Sequence, residues 1–249
     1  MSQLLDSYYQ QIISLLEKIR EEEVPTIEKA ASEIADRVAK GARIFAFGAS
    51  HSSLPVQDIV YRAGGLMLIN PLYAPGVEAL TTRPTTLGSQ MEQMPGYAEV
   101  VLNNSPLREG DVLIVVSVSG RNALPVELAR EARARGIFVV GLTSSKYTDA
   151  VTSRVPDNTK LKDHADILID NQVDAGDAVL SLEGVPQKFT PASGVTSTAI
   201  LHSLSAGIIE QLIARGISAP VFLAANLDGG AEWNKKHMSE NQDRIFYLN

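Results

Sequence analysis

Five short, nearly unbroken apolar runs punctuate the chain, and each stops at a small or polar residue. They are Arg43 to Phe47 before Gly48, Leu66 to Ile69 before Asn70-Pro71, Val112 to Val116 before Ser117, Ile137 to Val140 before Gly141, and Ile167 to Ile169 before Asp170. Runs of this length without polar alternation suit strands covered on both faces, the habit of parallel sheets. Between the third and fourth lies NALPVELAREARARG, where Leu124, Leu128 and Ala132 line one side and Gly136 stops the pattern. Repeated strand–helix–strand units of this size give an open parallel sheet with helices on both faces, so the expected class is α/β.

The rest of the chain divides around these runs. In residues 3–20, Leu5, Tyr8, Ile12, Leu15 and Ile19 recur at helical spacing until Glu21-Glu22-Glu23 and Pro25 interrupt them. A second helix is expected from about Thr26, with Ile27, Ala31, Ile34 and Val38 on one face. Residues 1–40 thus read as a helical hairpin, packed either on its own domain or on a partner subunit, and residues 41–249 as the main domain. Residues 70–104 are rich in proline and glycine with little periodicity, and 171–192 form a second irregular stretch. Val195 to Arg215 reads as a long helix, APVFLAAN as a possible last strand, and the segment from Asp228 as a polar, solvated tail holding Trp233.

Composition excludes several classes of function. With 22 basic against 29 acidic residues and no long basic stretch, a nucleic-acid partner is not expected. The absence of cysteine removes disulfides, thiolate nucleophiles and Cys-type zinc sites. The four histidines, at 51, 164, 202 and 237, show no metal-ligand spacing, so neither metal nor cofactor is expected. No signal-peptide pattern and no 18-residue apolar segment is present, so the expectation is a cytoplasmic protein without membrane contact.

Two strand ends share one chemistry. The first run leads into FGASHSS and the third into SVSGRN, each with glycine beside serine at a helix entrance. A helix N-terminus leaves N–H groups unpaired, glycine lets backbone approach an anion, and serine donates hydrogen bonds without bulk. Ligands of open parallel sheets bind beyond the carboxyl ends of the strands. Two such turns facing one crevice make a phosphate cup without lysine, although the same residues also serve as ordinary turns and caps. No Gly-Lys-Ser/Thr tripeptide and no GxGxxG motif is present, which excludes a P-loop and leaves a nicotinamide cofactor unsupported.

FGASHSS, SVSGRN and their separation resemble the sugar isomerase (SIS) domain, over about Ser32 to Gly216. The layout is similar to single-SIS bacterial proteins labelled phosphosugar isomerases, related to phosphoheptose isomerase and N-acetylmuramic acid 6-phosphate etherase. The resemblance implies a flavodoxin-like five-stranded parallel sheet, phosphosugar binding, and a homodimer or homotetramer with sites near subunit contacts. It places Ser50 after the first strand and Ser117, Ser119 and Asn122 in the phosphate cup, with Asn122 where threonine is more frequent. An amide still donates a hydrogen bond there.

Isomerisation of an aldose to a ketose needs a base that moves a proton between adjacent carbons, and so does the β-elimination of an etherase. The candidates are His51 in the first cup loop, Glu78 after a Pro-Gly turn, and Glu183 in the loop before the last helix. Ser52, Ser193 and Thr196, with Ser197 beside them, are candidate sugar contacts. His202 is expected to be a satisfied core histidine, and Glu127 and Glu131 solvated helix-face charges. The readings left open are an isomerase on a sugar phosphate or amino sugar phosphate, an etherase, and a non-catalytic sugar-phosphate sensor.

Overall fold

In the computed structural model, which describes residues 3–247, the five runs become one parallel sheet. The strands are β1 (Ile44–Gly48), β2 (Ile69–Pro71), β3 (Val112–Val116), β4 (Phe138–Thr143) and β5 (Ile167–Asp170). Their order is β2-β1-β3-β4-β5, so the winding reverses between β1 and β3. Every residue of β1 and β3 is buried. Their side chains alternate between two cores, as the period-two pleat requires. Ile44, Ala46, Val112 and Ile114 join one core, and Phe45, Phe47, Leu113 and Val115 the other.

The helices that cover these faces follow from the sequence between the strands. At the N-terminus, α1 (Gln3–Glu22) and α2 (Val24–Ala39) are separated by Glu23 alone, and Pro25 sits in the first turn of α2, where its missing N–H costs nothing. Ile27, Ala31, Ile34 and Val38 enter the same core as the sheet, so α2 and the strands share one interior. After β1 comes α3 (Ser53–Asp58), and α6 (Ala123–Ala134) links β3 to β4. The short helices α7 (Ser145–Ala150) and α8 (Leu161–His164) lie between β4 and β5, and α9 (Ser193–Ala214) packs on α2.

Four segments depart from the sequence expectations. Residues 70–104 contain two helices, α4 (Thr85–Met91) and α5 (Tyr97–Asn103), each of 7 residues and too short to show a helical period. Residues 171–192 contain an antiparallel hairpin, β6 (Ala178–Leu180) with β7 (Phe189–Pro191). APVFLAAN forms no strand; Val221 makes one isolated bridge to Leu66, beside a proline that has no N–H to donate. The tail is largely exposed, as its polarity suggests, but it is ordered and docked. It forms α10 (Gly230–Glu240) and returns to the sheet edge, where Phe246 N donates to Asn70 Oδ1 at 2.7 Å and Ile245 is buried against Met67 and Phe222. That return covers part of the β2 edge, an exposed pairing surface otherwise.

A buried ion pair fastens the opposite end of the sheet. Asp111, at the entrance to β3, accepts from Arg43 N at 2.9 Å, Arg43 Nε at 2.9 Å and Arg108 N at 3.0 Å.

Candidate functional site at the β1 and β3 strand ends

The first loop turns back over the end of β1 because residue 48 has no side chain. A Cβ there would lie 2.1 Å from Ser52 O. Ser50 adopts the left-handed conformation, with φ of 50°, which few non-glycine residues take. Its N–H donates to Val77 O at 2.6 Å, and Ser53 Oγ ties the loop internally by donating to Ser50 O at 2.7 Å while accepting from Ala79 N at 3.0 Å. The loop is thereby laid against residues 77–79, and Ser50 bridges to Glu78.

The second loop is held as firmly. Ser117 N donates to Leu142 O at 3.0 Å, and Gly120 turns the chain with φ of 60°. A Cβ on Gly120 would meet Thr143 Oγ1 and Thr148 Oγ1, both at 2.9 Å. Asn122 is the N-cap of α6, yet its side chain does not cap the helix. Arg154 Nη1 donates to Asn122 Oδ1 at 2.7 Å, which turns the amide NH₂ toward the first loop. Beyond the loop, Val118 packs under α1 with Tyr8 and Ile12.

Glu92 joins the two loops. Its Oε2 accepts from Ser50 Oγ at 3.1 Å and its Oε1 from Asn122 Nδ2 at 2.8 Å. Its carbonyl accepts from Leu124 N at 3.0 Å, which anchors the residue to the first turn of α6. The sequence reading missed Glu92. The available signal was an acidic residue shortly before Pro95-Gly96, inside the long connection already singled out. Ser117 is buried and Ser119 half-buried on the same loop, and neither hydroxyl donates to another described residue.

His51 is exposed and borders two cavities. One is small, about 80 Å³, and is shared with Ser50, Glu78 and Ser89. The other is an open cleft of about 920 Å³ toward α3 and the start of α9. Glu78 is half-buried, and its Oε2 accepts from Gly76 N at 3.1 Å. Burial pushes the Tyr97 phenol above its ordinary range, and the nearby Glu78 charge adds to the effect. Ser50, His51, Glu78, Glu92 and Asn122 therefore meet at the winding reversal, with Ser117 and Ser119 beside them.

A family model described as the SIS domain matches residues 7–144. The chain belongs to the SIS-domain family. The UPF0309 protein of Streptomyces griseus subsp. griseus is 49% identical over 246 residues, covering 99% of this chain and 98% of that protein. The UPF0309 protein of Oceanobacillus iheyensis is 37% identical over 244 residues, covering 98% and 99%. Among solved structures, phosphoheptose isomerase from Neisseria gonorrhoeae superposes with a TM-score of 0.55 at 18% identity, over 83% of this chain and 97% of that one. At that identity the likeness shows a shared fold. The five-stranded parallel sheet is the one the SIS resemblance implies.

The remaining candidates lie elsewhere or are engaged. Ser52 is half-buried at the start of α3. Ser193 Oγ donates to Asp177 Oδ2 at 2.6 Å and its N–H to Asp177 Oδ1 at 2.7 Å, so a carboxylate already caps α9 beside the large cleft. Thr196 and Ser197 face the interior and are buried, so Thr196 is not at the surface where a sugar would touch it. Glu183 is exposed in the turn of the β6–β7 hairpin and makes no polar contact with either cup loop among the described residues. His202 is not a core residue: it is half-exposed and pairs with Asp58 Oδ2 at 2.9 Å. Glu127 is not solvated; it is buried and accepts from Gly96 N at 2.7 Å, capping α5. Glu131 stays partly exposed beside Arg130. His237 pairs with Glu240 at 3.2 Å, and Trp233 Nε1 donates to Val221 O at 3.1 Å, so both belong to the tail's own packing. Among the described residues no cluster of His, Asp and Glu suits a metal ion, and no helix is long and apolar enough to cross a membrane.

Proposed function

We propose that this SIS chain binds a phosphorylated sugar or amino sugar and interconverts its aldose and ketose forms. The observation that carries the reading is the convergence of Ser50 Oγ and Asn122 Nδ2 on the two oxygens of one carboxylate, at 3.1 and 2.8 Å. Donors from separate strand ends thus fit a single small anion, and the hydroxyls of Ser117 and Ser119 stand on the same loop. A phosphate offers the same pattern of oxygens on one central atom, and neutral donors suffice when the helix N-terminus adds partial positive charge.

With the phosphate anchored, the sugar's first carbons extend toward His51 and Glu78. In this reading Glu78 removes the proton from the carbon beside the carbonyl and returns it to the neighbouring carbon. His51 hands a proton to the carbonyl oxygen as the enediol forms and recovers one from the other hydroxyl as it collapses. Phosphate binding energy holds the carbons in register with the base. No metal or redox cofactor is needed for that proton transfer. Glu183, out on the hairpin turn, has no part in it. We take the compartment to be the cytoplasm, where sugar phosphates are turned over.

The same reading includes a homodimer. One face of α1 packs on the body, while Leu5, Tyr9 and Ile13, 65%, 67% and 53% exposed, form a second stripe at four-residue spacing. A contiguous apolar stripe of this kind is suited to a copy of itself.

The test is incubation with a panel of pentose, hexose, hexosamine and heptose phosphates, followed by product analysis. Interconversion of at least one pair is expected, with Glu78→Gln retaining binding and losing turnover. Loss of a side group without interconversion would make the chain a lyase. Binding without any turnover would make it a sensor.

A further inference from the structure

The carboxylate between the cup loops is the least ordinary feature of the site. Glu92 places a full negative charge where the two loops converge, and both groups that hold it, a serine hydroxyl and an asparagine amide, are neutral. Among the described residues no lysine or arginine lies within ion-pair distance of it. Two structural carboxylates elsewhere in this chain are paired with a cation or with backbone N–H groups. Asp111 meets Arg43, and Asp177 caps α9 with two N–H bonds. Glu92 has neither arrangement. It has the two donors that the proposed cup offers to a substrate.

We infer that Glu92 is an internal stand-in for the substrate's phosphate, so that an arriving anion binds by displacing it from Ser50 and Asn122. The inference rests on the cup reading above and adds a competitor to it. Two anions cannot share this spot, because the single hydroxyl proton of Ser50 is committed to a Glu92 oxygen and like charges at this separation repel. The surroundings permit the exchange. Apart from Gly88, the residues of α4 are exposed or at most half-buried, so little packing resists a side-chain swing. The main chain of Glu92 stays tied through its carbonyl to Leu124 N. Arg154 keeps the Asn122 amide pointed into the cup after Glu92 leaves, so the donor is ready for the newcomer. A ligand-free cup filled by its own carboxylate is thereby guarded against weak anions and yields to one that makes more bonds, such as a phosphate also reached by Ser117 and Ser119.

The experiment is calorimetric titration of inorganic phosphate into the full chain and three variants: Glu92→Ala, Glu92→Gln, and Glu92→Ala combined with Ser119→Asp. Removal of the competitor should tighten phosphate binding about tenfold in Glu92→Ala, the scale of one hydrogen bond to a charged group. Glu92→Gln should tighten it less, because the amide keeps an acceptor oxygen without the charge. Adding Ser119→Asp should abolish the gain, which locates the phosphate in the cup. Equal or weaker binding in both single variants, with phosphate still bound by the parent, would overturn the inference and leave the cup reading standing. No phosphate binding by any form would overturn the cup reading and the inference with it. Circular dichroism of each variant checks folding, and if Glu92→Ala does not fold, Glu92→Gln decides alone.

Discussion

Replacing Gly48 by alanine tests whether the first cup loop is set by backbone proximity. The new Cβ would sit 2.1 Å from Ser52 O and 2.5 Å from Ser52 C, both backbone atoms that no rotamer change can move. The loop must retreat by roughly 1.5 Å to reach ordinary contact distance. Ser50 is carried on that loop, and its hydroxyl bond to Glu92 is already 3.1 Å long. The retreat takes it out of hydrogen-bond range. Forcing a methyl group into packed structure costs about 1–3 kcal/mol, and a clash with backbone belongs at the upper end. For a chain of this size that corresponds to a melting temperature lower by about 4–12 °C. Loss of one hydrogen bond to an anion should weaken phosphate binding by about 1.5–3 kcal/mol, roughly ten- to hundredfold. Urea denaturation and a phosphate titration measure the two effects. Gly194→Ala is the control: its Cβ meets nothing within 4 Å, and alanine near the start of α9 should raise stability by up to about 1 kcal/mol. A Gly48→Ala protein within about 0.5 kcal/mol of the parent, binding phosphate equally well, would refute the steric argument.

Three other perturbations address separate parts of the fold. Asp111→Ala should cost about 3–5 kcal/mol in denaturant unfolding, because it strands the Arg43 guanidinium, whose side chain is 8% exposed; a loss below about 1 kcal/mol would show that the pair contributes little. Tyr9→Asp on the outer stripe of α1 should shift a dimer toward monomer in light scattering without lowering the monomer's helix content; an unchanged mass would remove α1 from the interface. Burial pushes the Glu23 carboxyl above its ordinary 4.5, against the hydrogen bond from Asp170 N, and the Asp170 charge adds to the rise. A raised folded-state value contributes stability at low pH that is lost as pH climbs above 4.5. Glu23→Gln should therefore be more stable than the parent at neutral pH, with a flatter melting profile as pH rises above 4.5; a parallel profile would contradict the sign.

The sheet was legible because its strands are buried on both faces, which writes them as apolar runs such as Val112 to Val116, too short for a helix and bounded by turn residues. The glycine turns after β1 and β3 were legible for a related reason. Gly48 and Gly120 stand where a Cβ would strike the loop itself or Thr143 and Thr148. What was hidden depends on contacts between segments far apart in the chain. Glu92 reaches Ser50 across 42 positions and Asn122 across 30, and α4, which delivers it, is too short to announce a helical period. Glu127 resembles a surface charge until Gly96 N is brought against it. The tail reads as polar because few of its residues are buried, yet Ile245 and the Phe246 N–H suffice to dock it on Met67 and Asn70. Helical spacing alone grouped Leu5 with Tyr8 and Ile12, whereas in the folded chain Leu5 points out with Tyr9 and Ile13.

The central claim is that the β1 and β3 loops form a cup for a sugar's phosphate. Thermal melting against a panel of sugar phosphates, run in parallel on the parent and on Ser119→Asp, tests it most directly. The account predicts that at least one sugar phosphate raises the parent's melting temperature, that the unphosphorylated sugar does not, and that Ser119→Asp folds but shows no shift. A shift that persists in Ser119→Asp, or a parent indifferent to every phosphate in the panel, would contradict it.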